Sequence, residues 1–379
     1  MRIAIDCDGI TREKTGIGWY KYYLISNLAK IDKENQYLIY NILYRGFKEE
    51  IDKIKFYLPE RDNFRKKIYR FNSYYGRKYL PIELFTGKID ILHNLDHSNV
   101  SSLTLTAKRV VTIHDIIPLL SDIYANLLIP EEYKKGRKFL MDALFKSDRI
   151  ITVSYASKND MIKYLSIDPS SVSVIYLGKD EIFYPREKRN DMLDKYKISK
   201  KFILSSPVVP SRKNFARILL SFEKIRKNND CQIVSFGKIK KYGEWFKIFE
   251  RLPSDIKEDI IFTGYVPVED LPYLYSAAEF FIYPSLYEGF GLPVLEAMAC
   301  GCPVITSNTS SLTEVAGDAG ILINPYNVDE MAENMERLLS DEKLRERLKV
   351  KGLERAKQFT WERTAKETIK VYEEVYNGR

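Results

Sequence analysis

The sequence predicts an α/β protein made of two doubly wound parallel sheets in tandem, and three observations carry that prediction. Short runs rich in Val and Ile alternate with helical stretches through the first half of the chain, and they lack polar alternation, as strands covered on both faces do. The alternation stops in a turn-rich stretch and then begins again. The chain is 379 residues long and 45% apolar, enough for two or three domains, each with a core of its own.

In the first half the expected strands are Arg2–Asp6, Tyr37–Leu43, Ile89–Asn94, Arg109–Asp115, Arg149–Ser154 and Ser171–Tyr176, with helices at Trp19–Lys30 and Glu131–Phe145 among the segments between them. Leu177-Gly178-Lys179-Asp180, followed by Phe183-Tyr184-Pro185, marks the boundary. Beyond it the expected strands are Phe202–Pro207, Gln232–Gly237, Ile260–Gly264, Phe280–Ser285, Pro303–Ser307 and Gly320–Asn324. Asn327 and Glu330 form a capping box ahead of Met331, Met335, Leu338 and Leu339, whose helical spacing reads as core. Open α/β sheets bind ligands at the carboxyl ends of their strands, so the loops that follow strands are where functional residues are expected.

The formal charge of +8 suits an anionic partner such as nucleic acid, anionic lipid or a phosphorylated ligand; it equally fits a solvated, Lys- and Glu-rich surface of a heat-adapted or AT-rich organism. No run approaches the roughly 20 apolar residues of a spanning helix. The chain opens directly on a strand pattern, MRIAID, so no signal peptide and a cytoplasmic location are expected. Cys7, Cys231, Cys300 and Cys302 have neither zinc nor disulfide spacing and read as small buried residues in a reducing compartment. Three histidines are too few for a rich metal site.

The most informative segment is Glu288-Gly-Phe-Gly-Leu-Pro-Val-Leu-Glu296, which continues through Cys300-Gly301-Cys302-Pro303. It follows an expected strand directly. Pro293 suits the first turn of a helix, and Gly301 suits a left-handed stop after it. The backbone N–H groups of Gly289, Phe290, Gly291 and Leu292 then stand at a helix N-terminus, where they can meet phosphate or sugar oxygens. Glu288 lies before the helix and Glu296 one turn inside it, so two carboxylates can hold two parts of one long ligand. Singly, each reads as well as an exposed or capping Glu.

This string resembles the pattern of glycosyltransferase family 4, two glutamates separated by seven residues, and is most similar in look to bacterial mannosyltransferases that build O-antigen and other surface polysaccharides. The resemblance covers nearly the whole chain. It implies the GT-B fold, two Rossmann-like domains facing across a cleft, with retention of anomeric configuration. It places Glu288 on the donor sugar, Glu296 on the ribose hydroxyls, and the Gly289–Leu292 backbone on sugar and phosphates.

Further segments fall at expected strand ends. Thr15-Gly16-Ile17-Gly18 reads as a plain turn by itself; in the resemblance Gly16 and Gly18 face the donor phosphate, although Trp19 stands where relatives carry an Arg. Ser211-Arg212-Lys213-Asn214 reads either as a solvated basic turn or as a pyrophosphate site, with Lys213 a mobile charge and Arg212 a fork. Ser206-Pro207 replaces the Gly-Arg pair of many relatives. His114, ending Val111-Thr-Ile-His-Asp115, is either a core-edge His satisfied by backbone or a residue that donates to a sugar hydroxyl or orients the acceptor; the resemblance puts it at the reaction centre. His93 and His97 shape an acceptor pocket or serve structure. Gly264, Tyr265 and Val266 fit the family's nucleobase site through their backbone, which does not distinguish one base from another.

Asp6-Cys7-Asp8 has the spacing of a metal-binding pair but lies at the end of a first strand; Asp6 reads as structural and Asp8 as exposed, and no essential metal or other cofactor is expected. Phe64–Tyr79 contains no acid and interleaves aromatics with cations, which suits an interfacial surface on anionic lipid, an RNA surface or a basic helix face.

The expected organisation is an acceptor-binding domain at 1–180, a nucleotide-sugar-binding domain at 181–360, and a C-terminal helix at 361–379 packing back on the first. The expected activity is retaining transfer of a hexose, mannose from GDP-mannose, to a glycan or lipid-linked acceptor, with peripheral contact at the inner face of an anionic membrane and no nucleic-acid partner. The competing readings are another GT-B enzyme, such as a sugar-nucleotide epimerase, or a non-enzymatic nucleotide- or RNA-binding protein. A nicotinamide dehydrogenase is disfavoured because no full G-x-G-x-x-G follows the first strand.

Overall fold

The computed structural model describes residues 1–7, 16–44, 62–71, 81–97, 104–120, 130–205, 211–237, 239–241 and 243–378. They fall into two compact units, one formed by Met1–Leu120, Ile129–Gly178 and Thr360–Arg379, the other built on Lys179–Phe359.

The first unit is a parallel sheet of β1 (Arg2–Asp6), β2 (Gln36–Tyr44), β3 (Phe64–Phe71), β4 (Ile91–Asn94), β5 (Lys108–Ile113), β6 (Arg149–Thr152) and β7 (Val172–Val174), in the order β3-β2-β1-β4-β5-β6-β7. The order reverses between β1 and β4, which pair in parallel. Their side chains are buried on both faces, which is why these strands read as continuous apolar runs. Helices α1 (Gly16–Ile31) and α2 (Pro130–Phe145) are among the connections.

One expectation is corrected at the edge of this sheet. Phe64–Phe71 of the basic-aromatic stretch forms β3, paired with β2 along its full length, and is not a helix face. Phe64 is buried and stacks on Tyr37 at 4.5 Å. Lys and Arg on an edge strand also oppose edge-to-edge pairing, so the composition that suggested an interface is compatible with a protected sheet edge. Residues 72–79 of that stretch lie outside the described residues.

The second unit repeats the winding with β8 (Lys201–Ser205), β9 (Cys231–Phe236), β10 (Ile260–Gly264), β11 (Phe280–Tyr283), β12 (Val304–Ser307) and β13 (Ile321–Ile323), ordered β10-β9-β8-β11-β12-β13 and all parallel. Its switch point lies between β8 and β11. Helix α3 (Phe215–Arg226) buries Phe215, Leu219 and Phe222 on one face of the sheet. Helix α4 (Leu292–Ala299) follows β11, and α5 (Val328–Ser340) and α6 (Glu342–Ala356) close the unit. Met331, Met335 and Leu338 of α5 enter the core, with Leu339 packed against it. Asn327 caps α5 by accepting from the N–H groups of Asp329 and Glu330, but the Glu330 carboxylate reaches back to Asn324 N, so the expected reciprocal box is only half made.

The chain returns to the first unit through α7 (Trp361–Tyr376), capped by Thr360. Tyr23 of α1 stacks on Trp361 at 5.2 Å, and the Tyr372 hydroxyl bonds His93 Nδ1 at 2.6 Å. Gly178 lies so close to the start of α7 that a Cβ there would sit 2.1 Å from Trp361 N. All four cysteines are buried thiols. Among the described residues no helix is long and apolar enough to cross a membrane.

Candidate functional site

In the second unit, the switch point brings two strand-end loops together. Ser211–Lys213, which follow β8 as a turn of 3-10 helix, meet Ser285–Glu288, which follow β11. Leu286 N donates to the Arg212 carbonyl at 2.8 Å and holds the loops in register, and Ser285 Oγ lies 3.0 Å from the same carbonyl. Glu288 is buried at their junction. Its Oε1 accepts from Lys213 Nζ (2.7 Å), Ser285 Oγ (2.7 Å), Tyr283 Oη (2.8 Å) and Arg212 Nη1. Burial alone would raise this carboxyl; Lys213 and then Arg212 outweigh it and bring it down to about 2.

The sequence reading kept Glu288 and the two cations apart, the one for a sugar and the others for phosphate. The structure joins them: Glu288 is the counter-ion of Arg212 and Lys213. Tyr283, fully buried on β11, also bonds Lys213 and carries its ammonium 4.5 Å from the ring centroid.

Gly291 starts α4 at φ +115°, a conformation that excludes ordinary side chains, and a Cβ there would lie 2.8 Å from Leu312 Cδ2. Pro293 sits in the first turn, and Gly301 follows the helix at φ +72°. The Phe290 ring is not offered to a ligand: it is buried, edge-on to Phe359 at 5.9 Å. Ser311 Oγ lies within donating distance of the carbonyls of Glu288 (2.9 Å) and Phe290 (2.7 Å), and Glu288 N donates to Ser310 Oγ. These bonds pin the loop so that Gly289 and Leu292 flank the helix start.

Glu296 lies one turn inside α4, away from the ion cluster. It is partly buried, and the Tyr275 hydroxyl lies 3.4 Å from its Oε2. Burial pushes it up to about 7, Tyr275 opposing weakly and Asp180 adding to the rise. Gly264 ends β10 at φ +71°, and its carbonyl is already taken by Gly237 N at 2.6 Å. Val266 is buried, whereas Tyr265 is 79% exposed, the largest exposure of any aromatic among the described residues.

In the first unit, Gly16 and Gly18 lie inside the first turn of α1, not in a loop before it, and Gly18 is buried. Glycine weakens a helix interior, but the first turn has few intrahelical bonds to lose, so the helix starts earlier than its apolar pattern suggests. Thr15 and Asp8 lie outside the described residues; Asp6 is buried. His114 follows β5 directly. Its Nε2 lies 3.1 Å from the Leu95 carbonyl, which can only accept, so Nε2 carries the proton and Nδ1 is left as an acceptor. At Nδ1 the neutral ring can accept a hydrogen bond but not donate one. Burial pulls its pKa down to about 4, opposed by Asp96, so the ring is neutral at pH 7. His93 is fully buried between Tyr372 and Thr112 Oγ1 (2.9 Å), a structural position.

Sequence reasoning missed Tyr283, Ser285 and the buried Lys21–Asp96 ion pair beside His114. The available signals were a hydroxyl pair just ahead of Glu288 and a single cation in the aromatic run Trp19-Tyr-Lys-Tyr-Tyr23. Ser206-Pro207 lies outside the described residues. Among the described residues no group of three or more His, Cys, Asp or Glu is placed to hold a metal ion.

Comparison with known proteins bears on the family and the fold. A family model described as "Glycosyltransferase Family 4" matches residues 16–181, and one described as "Glycosyl transferases group 1" matches residues 188–355. The O-antigen chain mannosyltransferase B of Escherichia coli is 31% identical over 393 residues, spanning 98% of this chain and 99% of that protein. Among solved structures, a sucrose-phosphate synthase from Thermosynechococcus elongatus matches with a TM-score of 0.74 at 18% identity, covering 100% of both chains. HepE from Anabaena, in complex with UDP and glucose, matches with a TM-score of 0.75 at 16% identity, over 98% of this chain and 99% of that one. The fold is thus that of the GT-B enzymes, and with a curated relative matched over nearly its whole length, this chain belongs to glycosyltransferase family 4 and is a glycosyltransferase.

Proposed function

We propose that the enzyme transfers mannose from GDP-mannose, with retention, to a hydroxyl of a glycan or lipid-linked acceptor in surface-polysaccharide synthesis. The observation that carries the choice of sugar is the near-full-length likeness to an O-antigen chain mannosyltransferase. Arg212 and Lys213, at the switch point of the second unit, suit the donor diphosphate. On diphosphate binding Glu288 exchanges its cations for the hydroxyls of the sugar. Glu296 takes the ribose hydroxyls, the start of α4 from Gly289 to Leu292 supplies backbone N–H groups to phosphate and sugar, and Tyr265, beside Gly264 and Val266, takes the base. The first turn of α1, with Gly16 and Gly18, offers backbone groups to phosphate. His114 accepts through Nδ1 from a hydroxyl.

The bond from the anomeric carbon to phosphate breaks while the bond to the acceptor oxygen forms on the same face, and the acceptor proton passes to the departing phosphate oxygen. The protein's part is charge stabilisation and positioning. No metal is required in this reading: full activity in excess EDTA is expected. The basic stretch from Phe64 is proposed to touch an anionic membrane on its cytoplasmic side; flotation with anionic liposomes at low salt tests it, and no binding removes it.

The deciding experiment is transfer from GDP-mannose, UDP-glucose and ADP-glucose to lipid-linked glycan acceptors, with the anomeric configuration of the product read by NMR. Mannosyl product of α configuration from GDP-mannose supports the proposal; an active enzyme that rejects GDP-mannose for another donor refutes it.

A further inference from the structure

His114 is contacted by two groups that come from two neighbouring segments. The ring of Tyr20 stands edge-on to the imidazole at 4.7 Å and 83°. The Leu95 carbonyl takes the Nε2 proton. Asp96, the next residue in the loop after β4, is ion-paired with Lys21, the next residue after Tyr20 on α1. The side chains of Lys21 and Asp96 are only 4% and 5% exposed. A buried ion pair is a poor source of stability, since apolar residues of similar volume often serve as well. Its value is geometric: it ties the loop that carries the Leu95 carbonyl to the helix that carries Tyr20.

We propose that Lys21 and Asp96 are positioning residues for His114, fixing the Leu95 carbonyl so that the imidazole is locked with its proton on Nε2 and its Nδ1 lone pair turned to a hydroxyl. The role of Nδ1 rests on the reading of His114 as a residue of the reacting site; the locking of the ring does not. Without the pair, residues 95–96 lose their tie to α1, the carbonyl moves, and the proton divides between the two ring nitrogens. The other groups acting on the ring are Asp115, His97 and His93, none of which bonds Nε2. Burial, which holds the imidazole neutral at pH 7, makes this a choice between tautomers and not between charge states.

The test uses the full chain and two variants. In K21M/D96L both charges go together, so no unpaired charge is left in the interior; K21R keeps the pair. Long-range 1H–15N spectra at pH 7 report each imidazole tautomer directly, and the chain has three histidines in all. Wild type and K21R are expected to show His114 as a single Nε2–H tautomer, and K21M/D96L a mixture. With an active donor and acceptor, kcat should fall on the order of tenfold in the double variant, with donor KM unchanged, and recover in K21R. A folded double variant with the wild-type His114 tautomer overturns the proposal, and so does a K21R spectrum that matches the double variant. The spectra need neither donor nor acceptor, so an error in the sugar assignment does not enter them.

Discussion

Nucleotide binding is expected to expel a proton near neutral pH, because Glu296 is partly protonated in the free protein. Burial raises this carboxyl from its ordinary 4.5 to about 7. Ribose hydroxyls that donate to it favour the charged form and lower its pKa on binding. At pH 7 about half a proton should leave per nucleotide bound. If the carboxylate is the binding form, about a tenth of the protein carries it at pH 6 and about nine-tenths at pH 8, so affinity for GDP should rise about tenfold across that interval. Calorimetry in two buffers of different ionisation enthalpy reads the proton, and titrations at pH 6, 7 and 8 read the affinity. In E296Q both effects should vanish. The same shift bears on stability: the folded state holds this proton where the unfolded chain has lost it, so stability falls as pH rises from 4.5 through 7. The shift corresponds to up to about 3 kcal/mol, so E296Q should melt higher than wild type at pH 8 and alike at pH 4. Affinity independent of pH between 6 and 8, with no proton released, would refute the reasoning.

Three other outcomes follow from the same structure. E288Q should lose about 100-fold or more in transfer rate, yet bind GDP severalfold more tightly than wild type, since Arg212 and Lys213 lose their internal counter-ion; transfer near the wild-type rate, or weaker GDP binding, would count against the ion cluster as described. Y283F removes a hydroxyl that bonds both Lys213 and Glu288, and leaves the buried ring in place; a rise in donor KM of about tenfold, at a melting temperature within a few degrees of wild type, is expected from kinetics and calorimetry. G178A forces a Cβ to within 2.1 Å of Trp361 N, an overlap that only a backbone shift can relieve, and thermal denaturation should show a loss of several kcal/mol, with a wild-type melt refuting the close approach.

Much of the architecture was legible because its causes are local. Two-sided burial makes parallel strands read as apolar runs, and β1 and β10 coincide with their expected spans. Strand ends elsewhere shift by one or two residues, because the last residues of a run often belong to the turn. The strand β3 was misread because Phe64–Phe71 carries four cations and lacks the apolar signature of its neighbours. The first turn of α1 was missed because Gly16 and Gly18 weaken the helical pattern.

The sequence by itself determined the family and the identity of the carboxylates, since Glu288, Glu296, Gly291 and Pro293 form one contiguous string whose spacing has a local meaning. Tertiary structure alone decided what those groups are chemically. Glu288 is held near pKa 2 by cations 75 and 76 residues away in sequence, and Glu296 is raised to about 7 by its surroundings, although both are glutamates of one short segment. A carboxyl's charge depends on what is packed against it, and strand order, not adjacency in the chain, brings Arg212 and Lys213 to Glu288, while Glu296 is desolvated beside the Tyr275 hydroxyl.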